Sequence, residues 1–170
     1  MKSAPIIGLS AAFALLFAGA VALADNNPDQ TFITTAIQIN LAEIQVGQLA
    51  EQKASSDAAK AYGKQLVDDH TASNQKATAL ATAAGVTPPT EPSDADKALY
   101  QKLSGLSGAA FDRQFARAMV TGHRQALKLF MTEAKSGTGD IASFAKDTLP
   151  TLRDHLKMAR EILKPPKTSS

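Results

Sequence analysis

The sequence contains no cysteine, which excludes disulfides and thiolate metal ligands together and leaves packing to supply stability. It also has little surplus charge of either sign: 18 Lys and Arg stand against 16 Asp and Glu, a formal +2. The basic residues are scattered, apart from a proline-containing tail at Lys164 to Lys167 that reads as a solvated terminus. Nothing in this balance implies nucleic acid or a strongly acidic partner. A serine nucleophile elbow, a phosphate-binding glycine loop and an alternating strand pattern are all missing. No catalytic residue set can be named, and the sequence gives no reason to assign an enzyme activity.

What is present begins with a leader. One lysine precedes an apolar run from Ile6 to Leu23, and Ala22 and Ala24 form the small-residue arrangement that a signal peptidase cuts after. A retained membrane anchor is the alternative, because the run approaches the roughly 20 residues of a spanning helix. The polar Asp25-Asn26-Asn27 that follows favours cleavage. The expected organisation is a signal peptide at 1–24 and one domain at 25–170, exported to the periplasm or outer envelope. That domain has 146 of the 170 residues, enough for a sizeable core, a formal charge of +1 once Lys2 is gone, and no strong membrane-binding signal.

Helical spacing dominates the domain. Asn27-Pro28 caps a first long helix whose inward stripe is Phe32, Ala36, Ile39, Glu43, Gly47 and Ala50. Ser55-Ser56-Asp57 opens a second, with Ala59, Gly63, Leu66, His70, Ser73, Ala77, Leu80 and Ala84 inward until Gly85. Pro88, Pro89 and Pro92 force a loop, and Asp94 to Leu103 reads as a short helix within this long connection. A third long helix from about Ser107 directs Phe111, Phe115, Met119, Gly122 or His123, Ala126 and Phe130 inward and stops at Gly137. The fourth runs from Asp140 to Pro165, with Ile141, Phe144, Thr148, Leu152, His155, Ala159 and Ile162 inward and a bend expected at Pro150. The predicted fold is all-α: an antiparallel four-helix bundle with a long connection between its second and third helices, ordered up, down, crossing, up, down.

The polar members of these stripes coincide in depth. Glu43, His70, His123 and His155 each lie 14 to 16 residues beyond the cap or break that starts their helix, or about 21–24 Å along it. A lone inward histidine is more often a hydrogen-bonded core residue than a ligand. Here all three histidines of the chain fall on core stripes, one on each of three helices, level with a carboxylate from the remaining one. Imidazole and carboxylate together suit zinc, iron, copper or manganese, and facing helices of a bundle are a recurrent place to hold such an ion. The expected ligands of a single transition-metal ion are therefore Glu43, His70, His123 and His155. Asp69 lies about 100° around the helix from His70 and suits a neighbouring helix or a supporting role. Asn40 and Asn74 sit a turn from Glu43 and His70 and could hydrogen-bond a ligand or serve as interhelical partners. Met119 and Met158 flank His123 and His155; a thioether there would suit copper, although methionine at helical spacing is usually core filler.

Along these same residues the chain resembles the exported bacterial DUF4142 family. The similarity is carried by Asn40-Leu41-Ala42-Glu43-Ile44, Val67-Asp68-Asp69-His70-Thr71 with Asn74, Phe111-Asp112, Met119-Val120 with His123, and Thr148-Leu149-Pro150 with Leu152 to Leu156. The resemblance implies a ferritin-like fold and brings no activity with it. The ferritin-like di-iron pattern pairs each histidine with a glutamate three residues earlier, whereas here those positions are Val67, Val120 and Leu152. Of five glutamates only Glu43 falls on a predicted core stripe, so a histidine-rich mononuclear site is expected in place of a carboxylate-bridged one. Two other readings use the same residues: a structural or interaction bundle whose buried polar network fixes helix register, and a redox or peroxide-handling metalloenzyme with an open coordination position.

Overall fold

The computed structural model describes residues 27–164; the leader, its cleavage point after Ala24 and the end of the basic tail lie outside the described residues. The described residues form five helices: α1 Pro28–Lys53, α2 Asp57–Ala83, α3 Asp94–Ser104, α4 Gly108–Ser136 and α5 Gly139–Ile162. No strand occurs among the described residues.

Local chemistry explains the boundaries. The Asn27 side chain accepts from the Asp29 N–H at 3.0 Å and Pro28 occupies the first helical turn, where its missing N–H costs nothing. Ser56 and Ser93 cap α2 and α3 in the same way, accepting from the N–H groups of Ala59 and Asp96 at 3.2 Å. At the end of α2 the Val86 N–H reaches the Ala81 carbonyl at 2.8 Å and the Gly85 N–H reaches Thr82 at 3.0 Å. That double closure needs a left-handed residue between them, and Gly85 supplies it at φ 73°. The α5 helix runs on through Pro150, which lies on its exposed side.

Contacts at the two ends fix the direction of every long helix. At one end the Asp112 carboxylate, near the start of α4, accepts from the Ser55 N–H at 3.0 Å, the Ser55 hydroxyl at 2.7 Å and the Ser56 N–H at 2.9 Å. The start of α4 therefore sits on the turn between α1 and α2. At the other end Asp29 accepts from the Thr138 hydroxyl at 2.6 Å, and the Gln30 amide donates to the Ala84 carbonyl at 3.0 Å. The start of α1, the end of α2 and the start of α5 thus meet there. The order is up, down, crossing, down, up, and not the expected up, down, crossing, up, down. The 84–107 connection does not fold over one end; with α3 inside it, it travels the length of the body, so α4 runs parallel to α2.

The α1–α2 seam is the tightest. A methyl group on Gly47 would stand 2.6 Å from the Gly63 carbonyl oxygen, and one on Gly63 would stand 2.7 Å from that of Gly47. Backbone touches backbone there, which only glycine permits.

Two apolar clusters fill the interior. One, near the start of α1, gathers Phe32, Ile33, Ile37, Ala77, Phe130 and Phe144; the other gathers Val46, Leu66, Phe111, Phe115 and, from the crossing helix, Leu103. Between them lies a layer containing Asn40, Glu43, His70, His123 and His155, all buried. Several stripe positions turn out differently from the periodic expectation. Ile39, Ser73, Leu80, Thr148 and Ile162 are only half-buried, and it is His123, not Gly122, that is buried. Glu133, absent from the predicted stripe, is buried as well. It lies ten residues from His123, about 15 Å along α4, so it adds no carboxylate to the histidine layer.

Candidate metal centre

Four helices deliver the polar layer because each has its buried face at that depth. His70 on α2 follows Tyr62 and Leu66 at helical spacing, His123 on α4 follows Phe115 and Met119, and His155 on α5 follows Leu152. His123 and His155 are each 1 % exposed and His70 4 %. The three imidazoles offer one ring nitrogen apiece, all within 4.8 Å of one another.

Each ring is held from outside by a different oxygen. His70 Nδ1 lies 2.8 Å from Asn40 Oδ1, His123 Nδ1 3.0 Å from the Met119 carbonyl, and His155 Nε2 2.8 Å from Asp69 Oδ2. A carbonyl or carboxylate oxygen only accepts, so each of these ring nitrogens carries the proton and donates. The remaining nitrogen of each ring then carries a lone pair. Those are His70 Nε2, which has no hydrogen-bond partner among the described residues, and His123 Nε2 and His155 Nδ1, which face each other at 3.2 Å. Two lone pairs at that distance repel unless a cation or a shared proton lies between them.

Burial opposes the proton. It is the main cause that lowers His70 far below the usual imidazole range, with the neighbouring histidines adding to it. His123 is lowered by burial and by His155 to about 4, against the smaller upward pull of the Met119 carbonyl. His155 is also lowered by burial, although the Asp69 carboxylate resists. Glu43 moves the other way: burial, with the negative charge of Asp96, raises it to about 8, so it is a neutral acid at pH 7.

The structure thus brings together three of the four expected ligands. The Glu43 carboxyl stands 3.9 Å from Nδ1 of His123, behind that ring, whereas the inward nitrogen is Nε2. Asp69 reaches across from α2 to the ring on α5, and Asn40 holds the ring on α2. Asn74 is half-buried, its Oδ1 without a partner among the described residues. Met119 takes part through its backbone carbonyl, and Met158 packs against the second apolar cluster. Sequence reasoning passed over Tyr62, which is fully buried with its ring 6.4 Å from that of His123 and 6.0 Å from that of His155, centroid to centroid. Its hydroxyl has no partner among the described residues. The available signal was its place two helical turns before His70 on one stripe.

The sequence model of the family described as Domain of unknown function (DUF4142) matches residues 16–162. The chain belongs to this family. No functionally curated protein matches it. Among solved structures the DUF4142 chain is similar to a DUF305 fragment from Deinococcus radiodurans, with 14 % identity, a TM-score of 0.71, and coverage of 80 % of this chain and 95 % of that one. A conserved hypothetical protein, rv2844, from Mycobacterium tuberculosis has 19 % identity, a TM-score of 0.64 and coverage of 84 % and 96 %. CopM in its Cu(II)-bound form has 17 % identity, a TM-score of 0.60 and coverage of 78 % and 93 %. These likenesses are of fold, and they place the DUF4142 chain among ferritin-like helical proteins. In the described residues no helix is long and apolar enough to cross a membrane.

Proposed function

We propose that this DUF4142 protein is an exported metal-binding protein that holds one transition-metal ion between His70, His123 and His155. The reading takes the four long helices as one ferritin-like bundle, with α3 appended along its side, and the leader at 1–24 as its route to the cell envelope. The observation that carries it is the convergence of three imidazoles, one ring nitrogen of each within 4.8 Å of the others, with two lone-pair nitrogens 3.2 Å apart. A tetrahedral ion with metal–nitrogen bonds of 2.0–2.1 Å separates its ligand nitrogens by about 3.3 Å. Each outward N–H is already held by an oxygen, the arrangement that orients imidazole ligands and raises their basicity. All-imidazole donors favour the later first-row ions, copper(II) and zinc, over manganese, iron and the oxygen-seeking magnesium and calcium. CopM, a protein of similar fold, is known in a Cu(II)-bound form. When bound, the ion would supply a Lewis-acidic centre; the protein's part is to hold three neutral rings in place, with Glu43 as an uncharged neighbour behind His123.

The test is a thermal melt of untagged apo-protein with added copper(II) or zinc. At a hundredfold excess over Kd the native state gains about 2.7 kcal/mol, a rise in melting temperature of roughly 5–10 °C at this chain length. His123→Ala should abolish the rise; a full rise in that variant would overturn the assignment.

A second reading draws on the same 3.2 Å contact. A proton shared between His123 Nε2 and His155 Nδ1 would make the layer a register-fixing hydrogen-bond network with no metal. It requires melting curves that neither metal nor chelator moves.

A further inference from the structure

Between α2 and α5 a groove of about 600 Å³ opens at the surface, and its lining includes both His70 and Asp69. His70 is 4 % exposed and its Nε2 has no hydrogen-bond partner among the described residues. Asp69 is one-third exposed, while its carboxylate holds the ring of His155 at 2.8 Å. One wall of the groove therefore carries a ligand of the centre and the residue that positions another. The other ionisable residues lining it are Lys76, Asp140 and Asp147, so with Asp69 the groove has three acids to one base.

A second groove, of about 360 Å³ between α3 and α4, approaches the layer from the opposite side, where Gly122 lies beside Glu43, a methyl group on it standing 3.7 Å from Oε1. Its ionisable lining is Asp96, Lys102 and Arg117, two bases to one acid. The two approaches to the same layer thus carry opposite charge. Clefts of one sign concentrate ions of the other and raise their rate of arrival. The α1–α2 seam offers no passage, since the Gly47 and Gly63 backbones are in contact there.

We propose that the α2–α5 groove is the route by which a hydrated divalent cation reaches the histidine cluster, with Asp140 and Asp147 drawing it in and Asp69 lying at the inner end. The proposal rests on the metal-binding reading above. A route differs from a ligand set in what it controls: it sets how fast the ion arrives and leaves, while the imidazoles set how tightly it is held.

Copper(II) chloride mixed with apo-protein in a stopped-flow instrument separates the two. Tyr62 emission reports arrival, because its ring lies about 6 Å from two of the imidazoles. A Tyr100→Phe background removes the only other tyrosine. The double variant Asp140→Asn/Asp147→Asn should associate about three- to tenfold more slowly at low salt, with the difference shrinking as salt is raised. Narrowing the groove with Ala72→Phe/Thr151→Phe should slow association and dissociation together and leave Kd unchanged. Wild-type rates in both variants would overturn the route, as would a rate that responds to Asp96→Asn and to neither pair. If unmodified protein quenches with no metal at all, the metal reading itself falls and the route falls with it. Tight copper binding at an unaltered rate in the variants removes the route alone.

Discussion

Two clusters of three rings stand only two helical turns apart on α4. Near the start of α1, Phe32, Phe130 and Phe144 meet at centroid separations of 4.9, 6.1 and 6.5 Å. In the middle, His70, His123 and His155 meet at 5.2, 5.2 and 6.0 Å. The geometry is nearly the same and the chemistry is not. Phenyl rings in edge-on contact complete one another, quadrupole to quadrupole, and require nothing further. The imidazoles have spent their N–H groups on Asn40, Met119 and Asp69 and turn lone pairs toward each other. The difference separates a part of the fold that is finished by packing from one whose inward nitrogens are left for a cation or a shared proton.

Substitutions in each part should therefore fail in different ways. The largest effect is expected from Phe130→Ala, which should cost about 3–5 kcal/mol in chemical unfolding through the cavity it leaves while metal stoichiometry stays the same. A matching loss of metal would mean that the two regions are not independent.

Acid comes next. Burial lowers His123 from 6.5 to about 4 in the folded chain, so the unfolded chain takes up the proton first. Its contribution is complete above pH 6.5 and is lost as pH falls toward 4, about 3 kcal/mol in all. Glu43, raised from 4.5 to about 8, works in the opposite direction: it stabilises at low pH and loses that contribution between 4.5 and 8. Urea unfolding of apo wild type and apo His123→Gln across pH 4–7 isolates the histidine, since Glu43 is common to both. Wild type should lose about 3 kcal/mol relative to the variant between pH 6.5 and 4, so that the advantage of the histidine shrinks with acid; parallel curves would show that His123 is not held neutral by burial.

Asp69→Asn should weaken metal binding about 10- to 100-fold, the usual effect of losing the carboxylate that orients a ligand imidazole, and titration calorimetry would read it. Unchanged affinity would place His155 outside the ligand set. The smallest effect is at the α2 stop, where Gly85 sits at φ 73° with open space around it. Gly85→Ala should cost about 1 kcal/mol from backbone strain alone and leave metal binding untouched.

Much of this could be read from the chain itself. Helix ends were legible because their signals are local: Asn27-Pro28, Ser56 and Gly85 each act on neighbours within five residues. The depth of the histidines followed from counting along a helix at a fixed rise. The direction of α4 was not legible, because it depends on whether the 84–107 connection crosses one end or travels the length of the body, and on Asp112 finding Ser55 some 57 residues away. Nor could spacing say which side of His123 would face Glu43. Sharing a level is a property of rise, whereas facing an inward nitrogen depends on ring rotation, fixed here by the Met119 carbonyl. Glu133, by contrast, was legible and passed over: it stands three residues beyond Phe130 and seven beyond Ala126 on the same stripe of α4, and burial raises its pKa, with the Asp29 charge adding to it.

The central claim is that the three inward nitrogens hold a cation. Elemental mass spectrometry on untagged protein recovered from its native cells tests this most directly. The expected result is close to one equivalent of copper or zinc per chain, absent from protein carrying His70→Ala, His123→Ala and His155→Ala together. A metal-free wild type that also takes up no added copper or zinc would contradict it, and would leave the histidine layer as a hydrogen-bond network.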